Sequence, residues 1–215
     1  MDTVEKLTEI FKEFPGIGER QAKRFVYFLM SRNGQYASNF AELVQNLKKE
    51  ATQCKECFKF FLRRPKGSEP RPESVGASLC EICSDPHTDK SMLLVVEKDS
   101  DLESVKKSRV YPGKYFILGG LVPIVEKNTK SRVRVEELKN KISASGGKNN
   151  LKEIILAFSL NSQGDHTDTY VRSEIKDLVN ELGIKVSSLG KGLSTGTELE
   201  YSDNDTLKHA LKNRQ

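Results

Sequence analysis

Two Cys-x-x-Cys pairs constrain the fold of this 215-residue chain more than any other feature of its sequence. The pairs are separated by 22 residues and contain all the cysteines of the chain, Cys54, Cys57, Cys80 and Cys83. Each pair can place two thiolates on one side of a tight turn, and two facing turns supply the tetrahedral sulfur ligands that Zn²⁺ favours. Because four sulfurs leave no position for a catalytic water, the spacing predicts a structural zinc site.

Disulfides and redox chemistry are the alternatives to zinc. Disulfides need an oxidising compartment, and residues 1–20 carry acids among their apolar residues, unlike a signal peptide. A redox Cys-x-x-Cys would need no second pair. His87 lies near enough in sequence to replace one ligand, but beside four cysteines we expect it to be a surface histidine.

The composition is typical of a soluble protein with a modest core, with 36% hydrophobic and 30% charged residues. No run approaches the ~18 apolar residues that a membrane helix needs. We therefore expect a cytoplasmic protein with no membrane contact.

Residues 1–53 are predicted to be helical. Apolar residues recur at helical spacing over residues 3–12 and 20–31, and a third helix is predicted over residues 39–53 with Ser38 or Asn39 as its cap. Between the first two helices lies the segment Phe14-Pro15-Gly16-Ile17-Gly18, which cannot continue a helix.

The glycines of this turn predict a phosphate contact. Gly16 and Gly18 lack Cβ atoms, so an anion can approach the backbone N–H groups, and the second helix points its positive N-terminus at the same anion. Arg20, Lys23 and Arg24 follow on the first turns of that helix. The segment resembles the helix-hairpin-helix motif, which binds the DNA backbone without reading sequence. A plain turn between two helices is the alternative.

Basic residues are concentrated in the same part of the chain. Residues 20–71 contain twelve Lys and Arg against four Glu, a local charge of +8, so the remainder carries −3 of the overall +5. Such asymmetry indicates either a polyanionic partner or a solvated basic surface, and the glycine turn favours the first. Phosphate contacts predict DNA binding that is sensitive to salt and nearly independent of sequence.

After residue 86 the pattern changes to alternating strands and helices. Continuous apolar runs predict buried strands over residues 92–96, 115–118, 154–158 and 184–189. Helical segments fall between them at residues 101–107, 135–143 and 167–182, and a short helix is predicted at residues 206–211. This alternation predicts an α/β domain with a parallel sheet.

Acidic residues follow two of these strands. Glu97 comes directly after the first, and Asp165 and Asp168 come shortly after the third. Because the carboxyl ends of parallel strands meet at one edge of a sheet, we expect the three acids to converge there as metal ligands or as a partner-binding site. Helix capping is the alternative for Asp165.

The order of these motifs resembles the bacterial recombination mediators of the RecR family. The shared features are the Pro-Gly-Ile-Gly turn, the four-cysteine module, the Val-Val-Glu strand end and the terminal stretch Gly-Thr-Glu-Leu-Glu-Tyr-Ser-Asp. Residues 111–120 are similar to the family's Gly-x-Tyr-x-Val-Leu-Gly-Gly stretch, and the resemblance covers nearly the whole chain.

The resemblance implies an α+β chain of several modules. These are a helix-hairpin-helix domain at residues 1–53, a four-cysteine zinc finger at 54–85, a Toprim domain at 86–190 and a Walker B-like oligomerisation segment at 191–215. Carried over by position, Arg20 and Arg24 match the family's basic residues, the four cysteines match its zinc ligands, and Glu97 matches its first Toprim acid.

The same resemblance implies a role for the protein. Family members are not enzymes in the usual sense, and they form dimers or ring-like tetramers that clamp DNA. They work with RecO, and in many species with RecF, to help load RecA on gapped or single-stranded DNA. The expected partners are therefore DNA, RecO, possibly RecF in addition, RecA indirectly, and further copies of the chain.

Departures from the family pattern bear on catalysis. Gln163 stands where the family usually has an acid, and the loss of one carboxylate weakens a Mg²⁺ site, so we expect no metal-dependent cleavage. The alternative is a Mg²⁺-dependent nuclease or topoisomerase-like enzyme that uses Glu97 and Asp165. No Gly-x4-Gly-Lys-Ser/Thr loop occurs in the sequence, which argues against a nucleotide hydrolase. Residues 65–72, rich in proline, are predicted to project as a loop longer than the family's.

Overall fold

The computed structural model describes residues 1–62, 78–124, 133–146, 151–190, 192–193, 196, 198–202 and 204–212. The described chain divides into two compact units. The first contains Met1–Ala51 and Leu62, and the second contains Thr52–Phe61 and the described residues from 78 onward. The loop predicted at residues 65–72 lies outside the described residues.

The first unit consists of three helices, α1 (Thr3–Lys12), α2 (Glu19–Met30) and α3 (Gly34–Glu50). Helix α1 begins with a capping box, in which the carboxylate of Asp2 accepts from the N–H of Glu5 and the Glu5 carboxylate accepts from the N–H of Asp2. Phe11, Ala22 and Val26 form a small core between α1 and α2. The helices predicted over residues 3–12 and 20–31 are confirmed, with α2 starting one residue earlier.

The prediction for α3 was wrong at both ends. The helix starts at Gly34 because the side chain of Asn33, rather than Ser38 or Asn39, accepts a hydrogen bond of 2.9 Å from the N–H of Tyr36. It ends at Glu50, and Ala51–Gln53 form a strand, β1, that pairs with β2 (Phe60–Leu62). Pairing of the backbone in this small sheet replaces the last helical turn.

The second unit is built on a parallel sheet with strand order β4-β3-β5-β6, as the alternation predicts. Its elements follow one another as α4 (Glu81–Ser84), β3 (Asp89–Val96), α5 (Asp99–Ser108), β4 (Gly113–Ile117), α6 (Val135–Gly146), β5 (Glu153–Ala157), α7 (Ser162–Leu182) and β6 (Lys185–Ser188). A 3-10 turn (Leu199–Tyr201) and helix α8 (Asn204–Lys212) come last. Strands β4 and β6 are the edges of the sheet.

Both faces of the sheet are buried, which explains the continuous apolar runs in the sequence. Val95, Phe116 and Leu156 face a core shared with α6 and α7. Val96 and Ile117 face a second core, which is shared with α5. Alternate residues of one strand therefore point into different cores.

Helix α7 begins five residues before the predicted start at residue 167. The side chain of Asn161 accepts a hydrogen bond of 2.8 Å from the N–H of Gly164 and caps the helix. Capping by Asp165 is therefore wrong, since Asp165 lies inside the first turn. Gly164 is buried at this point, and a Cβ there would overlap the carbonyl oxygen of Ser159, so only glycine fits.

Of the described helices, none combines the length and the apolar character needed to cross a bilayer.

Candidate metal centre and nucleic-acid interface

The four cysteine sulfurs come together in the second unit. All four lie within 4.8 Å of one another, and no other cluster of three or more potential His, Cys, Asp or Glu ligands occurs in the described part of the chain. Cys54, Cys57 and Cys80 are buried and Cys83 is partly buried. Four sulfurs at about 2.3 Å from a central ion lie about 3.8 Å apart, so the arrangement and the soft donor set fit a tetrahedral metal site.

Backbone hydrogen bonds shape the first Cys-x-x-Cys turn. The N–H of Cys54 donates to the carbonyl of Lys59 at 2.9 Å, and the N–H of Phe58 donates to the carbonyl of Cys54 at 3.0 Å. Phe58 adopts a left-handed conformation, with φ of 62°, which lets the chain reverse directly after Cys57. We call residues 54–59 the first knuckle and residues 80–84 the second knuckle.

The thiols also interact with one another. Hydrogen bonds from the thiols of Cys57 and Cys80 hold the pKa of Cys54 well below its ordinary value. The N–H of Cys80 donates to the sulfur of Cys54 at 3.4 Å and acts in the same direction. Without an ion, the cluster thus favours a thiolate at Cys54, while the hydrogen bonds with Cys54 raise the pKa of Cys57 and Cys83.

The first knuckle covers one edge of the parallel sheet. The N–H of Ile117, on the edge strand β4, donates to the carbonyl of Cys57 at 2.9 Å. The ring of Phe58 packs against Phe116 with centroids 5.3 Å apart, and the guanidinium of Arg134 lies 5.1 Å from the centre of the Phe58 ring. An edge strand normally leaves its N–H groups unpaired, and here the knuckle occupies that position at Ile117.

An ion-pair network holds the other side of this knuckle. The ammonium of Lys59, whose side chain is 9% exposed, pairs with Glu103 at 2.5 Å and with Glu81 at 3.4 Å. Lys106 also pairs with Glu81. The contribution of Lys59 was missed from the sequence, because a lysine beside a Cys-x-x-Cys pair usually reads as a surface charge.

The glycine turn of the first unit is open to an approaching ligand. Gly16 has φ of 77°, in the left-handed region, and a Cβ placed at Gly16 or Gly18 would meet no atom within 4 Å. The N–H of Ile17 donates to the carbonyl of Phe14 at 3.0 Å and closes the turn. Gly18 is the N-cap of α2 and offers no side chain, so the first N–H groups of α2 have no side-chain cap.

The basic residues after this turn differ in their surroundings. Arg20, Lys23 and Arg24 are all exposed. The ammonium of Lys23 pairs with the carboxylate of Glu19 at 2.7 Å, which raises the pKa of Lys23. Arg24 donates only a long hydrogen bond of 3.3 Å to Gln21. Arg20 and Arg24 lie four residues apart on one helix face, and both are exposed to an approaching ligand.

Four residues of the basic segment counted in the sequence fall outside the part of the chain that the structure describes, namely Arg63, Arg64, Lys66 and Arg71.

The acids predicted to converge at the carboxyl edge of the sheet are only partly brought together. Asp165 and Asp168 line one cleft of about 230 Å³. Asp168 is paired with Arg172 at 2.6 Å. Glu97 accepts a hydrogen bond of 2.7 Å from the hydroxyl of Ser159, another residue of the cleft wall. In the part of the chain that the structure describes, the three carboxylates do not form a cluster of potential metal ligands, and the expectation of a metal or partner site at this edge stays a prediction.

Comparison with known proteins agrees with this architecture. Residues 91–190 match the family model described as Toprim domain, and residues 192–215 match the one described as RecR, C-terminal. The recombination protein RecR of Bacteroides thetaiotaomicron is 31% identical over 98% of this chain and 92% of its own length. Recombination protein RecR of Bacteroides fragilis is 32% identical over the same shares, and that of Staphylococcus saprophyticus is 31% identical over 99% and 96%.

A parallel Toprim sheet with a four-cysteine site at its edge places the molecule among the Toprim-domain proteins. The sequence identity to RecR proteins, which extends over nearly the whole of this chain, narrows the class of Toprim-domain proteins to one family. The chain belongs to the RecR family, and it is a protein of DNA recombination and repair.

Proposed function

We propose that this protein is a non-catalytic mediator of recombination and repair that grips the DNA backbone without reading its sequence. The observation that carries the proposal is the open glycine turn at Gly16 and Gly18, followed by an α2 N-terminus without a side-chain cap and by the exposed guanidiniums of Arg20 and Arg24. Backbone N–H groups and a helix N-terminus bind phosphate, and the two arginines add charge-assisted contacts.

Membership of the RecR family supports the proposed place in repair. The protein acts with RecO, and also with RecF in species that have RecF, to help load RecA on gapped or single-stranded DNA. The partner surface is the carboxyl edge of the Toprim sheet around Glu97 and Asp165. There the side chains of Leu160 and Leu189 are 67% and 50% exposed beside the acidic cleft, a mixture of apolar and charged groups that suits a protein contact.

The metal of the four-cysteine site is zinc in this proposal, and its role is structural. Four thiolate ligands fill a tetrahedral Zn²⁺ site and leave no position for a water or substrate. The residues that hold it are Cys54, Cys57, Cys80 and Cys83.

Two assays test the proposed function against the enzyme alternative. Electrophoretic retardation of short single- and double-stranded oligonucleotides is expected to weaken steeply with NaCl and to vary little with sequence. A supercoiled plasmid incubated with the protein and Mg²⁺ is expected to stay intact. Lack of retardation in dilute buffer would reject the backbone-binding proposal, and Mg²⁺-dependent nicking that is lost in Asp165→Asn would favour the nuclease alternative.

A second part of the proposal is self-association through α3. This helix has no buried residue, and Phe40, Leu43, Val44 and Leu47 form an apolar stripe at helical spacing, between 43% and 68% exposed. Such a continuous apolar face suits a contact between copies of the chain, since large exposed apolar patches mark interfaces. We propose that α3 contributes to a dimeric or tetrameric assembly.

Leu43→Glu is expected to lower the assembly mass at least twofold, because it places a charge in the centre of the stripe. Light scattering on the eluate of a sizing column measures this mass. The control is Gln45→Glu, which adds the same charge on the opposite side of α3 and should leave the mass unchanged. An unchanged mass for Leu43→Glu would remove α3 from the interface.

A further inference from the structure

Both knuckles of the four-cysteine site contact the same edge strand. The first knuckle is attached through the carbonyl of Cys57, which accepts from the N–H of Ile117. The second knuckle is attached through the side chain of Lys114, whose ammonium donates to the carbonyls of Ile82 and Cys83, at 3.2 Å each. Lys114 and Ile117 are three residues apart on β4. One strand therefore carries a contact to each half of the sulfur cluster.

The contact from Lys114 satisfies a need of the short helix α4. A helix leaves its last carbonyls without intrahelical partners, and α4 has only four residues. A cation near the C-terminus of a helix also opposes its negative end. Lys114 meets both requirements at Cys83, whereas at Ile82 it shares the carbonyl with the hydroxyl of Thr88, which donates at 3.1 Å. Because Lys114 is partly buried, its hydrogen bonds are screened less than those of a surface lysine.

The charge of Lys114 matters for the metal as well. Zn²⁺ with four thiolates leaves a net negative charge at a site where three of the four cysteines are buried, and a buried charge is costly unless it is compensated. Lys114 and Cys83 line the same cavity of about 170 Å³, together with Lys90 and Lys141. Lys141 is engaged with the carbonyl of Glu56 at 3.0 Å, so among the lysines that line this cavity Lys114 is the one that donates to the backbone of the second knuckle.

We propose that Lys114 is a positioning residue of the metal centre. It fixes the second knuckle on β4 and supplies positive charge beside Cys83, so that β4 sets the spacing between the two Cys-x-x-Cys turns. The inference rests on the proposed zinc occupancy of the cysteines. Through Lys114 the edge strand β4 becomes part of the metal site, although no residue of β4 is a metal ligand.

The test compares zinc release from three variants of the full chain. Zinc is first counted in the purified protein, and its transfer to an excess of a chromogenic chelator is then followed in time. Lys114→Met, which keeps the length and apolar stem but removes the ammonium, is expected to release zinc about 10–100-fold faster, the usual cost of losing a group that orients a ligand. Lys114→Arg should restore slow release, since a guanidinium can also donate to two carbonyls.

Lys90→Met is the matched control, because Lys90 lines the same cavity and no contact to the second knuckle is recorded for it among the described residues. Its release rate should stay within about twofold of the unmodified protein. Release from Lys114→Met at the unmodified rate, or equal acceleration in Lys90→Met, would overturn the role of Lys114. An unmodified protein that holds no zinc would instead reject the proposed occupancy, and the inference with it.

Hydrogen exchange in the zinc-saturated proteins separates local positioning from a general loss of stability. In Lys114→Met the amides of Ser84 and Asp85 should exchange faster, because their N–H groups donate to the carbonyls of Cys80 and Glu81 in the second knuckle. The amides of residues 54–59 should keep their protection. Equal acceleration in both knuckles would mean that Lys114 acts on the stability of the whole unit, which contradicts the proposal.

Discussion

Replacing Cys57 by Ser, or stripping the metal with a strong chelator, is expected to destabilise the entire second unit. Structural zinc contributes about 10–16 kcal/mol of apparent binding free energy in small zinc domains, which equals or exceeds the total stability of about 5–15 kcal/mol of a typical domain. A loss of even about 5 kcal/mol lowers the melting temperature of a domain of this size by roughly 10–20 °C. Calorimetry with and without chelator measures this shift.

The effect should spread to the sheet because of how the first knuckle is placed. When it is released, Ile117 loses the partner of its N–H, and Phe58 leaves its position against both apolar cores. Exchange of the β4 amides should therefore accelerate, and the exposed strand should promote aggregation. Re-addition of Zn²⁺, but not of Mg²⁺, should reverse the change, while α1 and α2 keep their own core throughout. Identical melting with and without the metal would contradict a structural role.

Changing Arg20 and Arg24 together to Ala is expected to weaken DNA binding about a hundredfold at low salt. Hydrogen bonds to charged groups contribute about 1.5–3 kcal/mol each, so the loss of two costs at least about 3 kcal/mol, or two factors of ten. The slope of log affinity against log salt should also become shallower by about two, one for each phosphate contact removed. Fluorescence anisotropy of a labelled oligonucleotide over a series of salt concentrations gives both quantities.

Lys23→Ala is the control that the structure provides for this experiment. The ammonium of Lys23 is paired with the carboxylate of Glu19. Because this ammonium is already engaged, its removal should change the salt slope by less than the removal of either arginine does. All three side chains are exposed, and the helical circular dichroism should not change. A Lys23→Ala variant that binds as weakly as the double arginine variant would show that the charge of the whole face, rather than the two guanidiniums, carries the contact.

Periodicity predicted the elements of this fold well where burial is strong. The apolar runs around Val95, Phe116 and Ile155 belong to strands of a parallel sheet that packs against a core on each face, which is where short continuous apolar runs are expected. Helix ends were predicted less well, since Asn33 and Asn161 cap α3 and α7 through polar contacts that precede the apolar stripes. A search for Asn, Asp, Ser or Thr before each helix would have found both.

The sulfur cluster was predictable from spacing alone, whereas its supports were not. Lys114 and Ile117 are brought to the knuckles by the pairing of the sheet, and Lys59, inside the first knuckle, meets Glu81 and Glu103 only in the folded chain. Nothing in the local sequence of these residues marks them as supports. The pair between Glu19 and Lys23 is different, because residues four apart on a helix can be read from the sequence, and it was overlooked. Tertiary placement therefore limits prediction at the metal centre, while local rules suffice at the glycine turn.

The position of the first knuckle has a consequence for the order of events on the ribosome. Residues 54–59 are synthesised well before β4, which spans Gly113–Ile117. Once both Cys-x-x-Cys turns have left the ribosome and bound an ion, the first knuckle is formed before the edge strand β4 is synthesised. In that order the carbonyl of Cys57 is in place to accept from Ile117 as soon as β4 is made, so this N–H of the sheet edge is not left for a neighbouring chain.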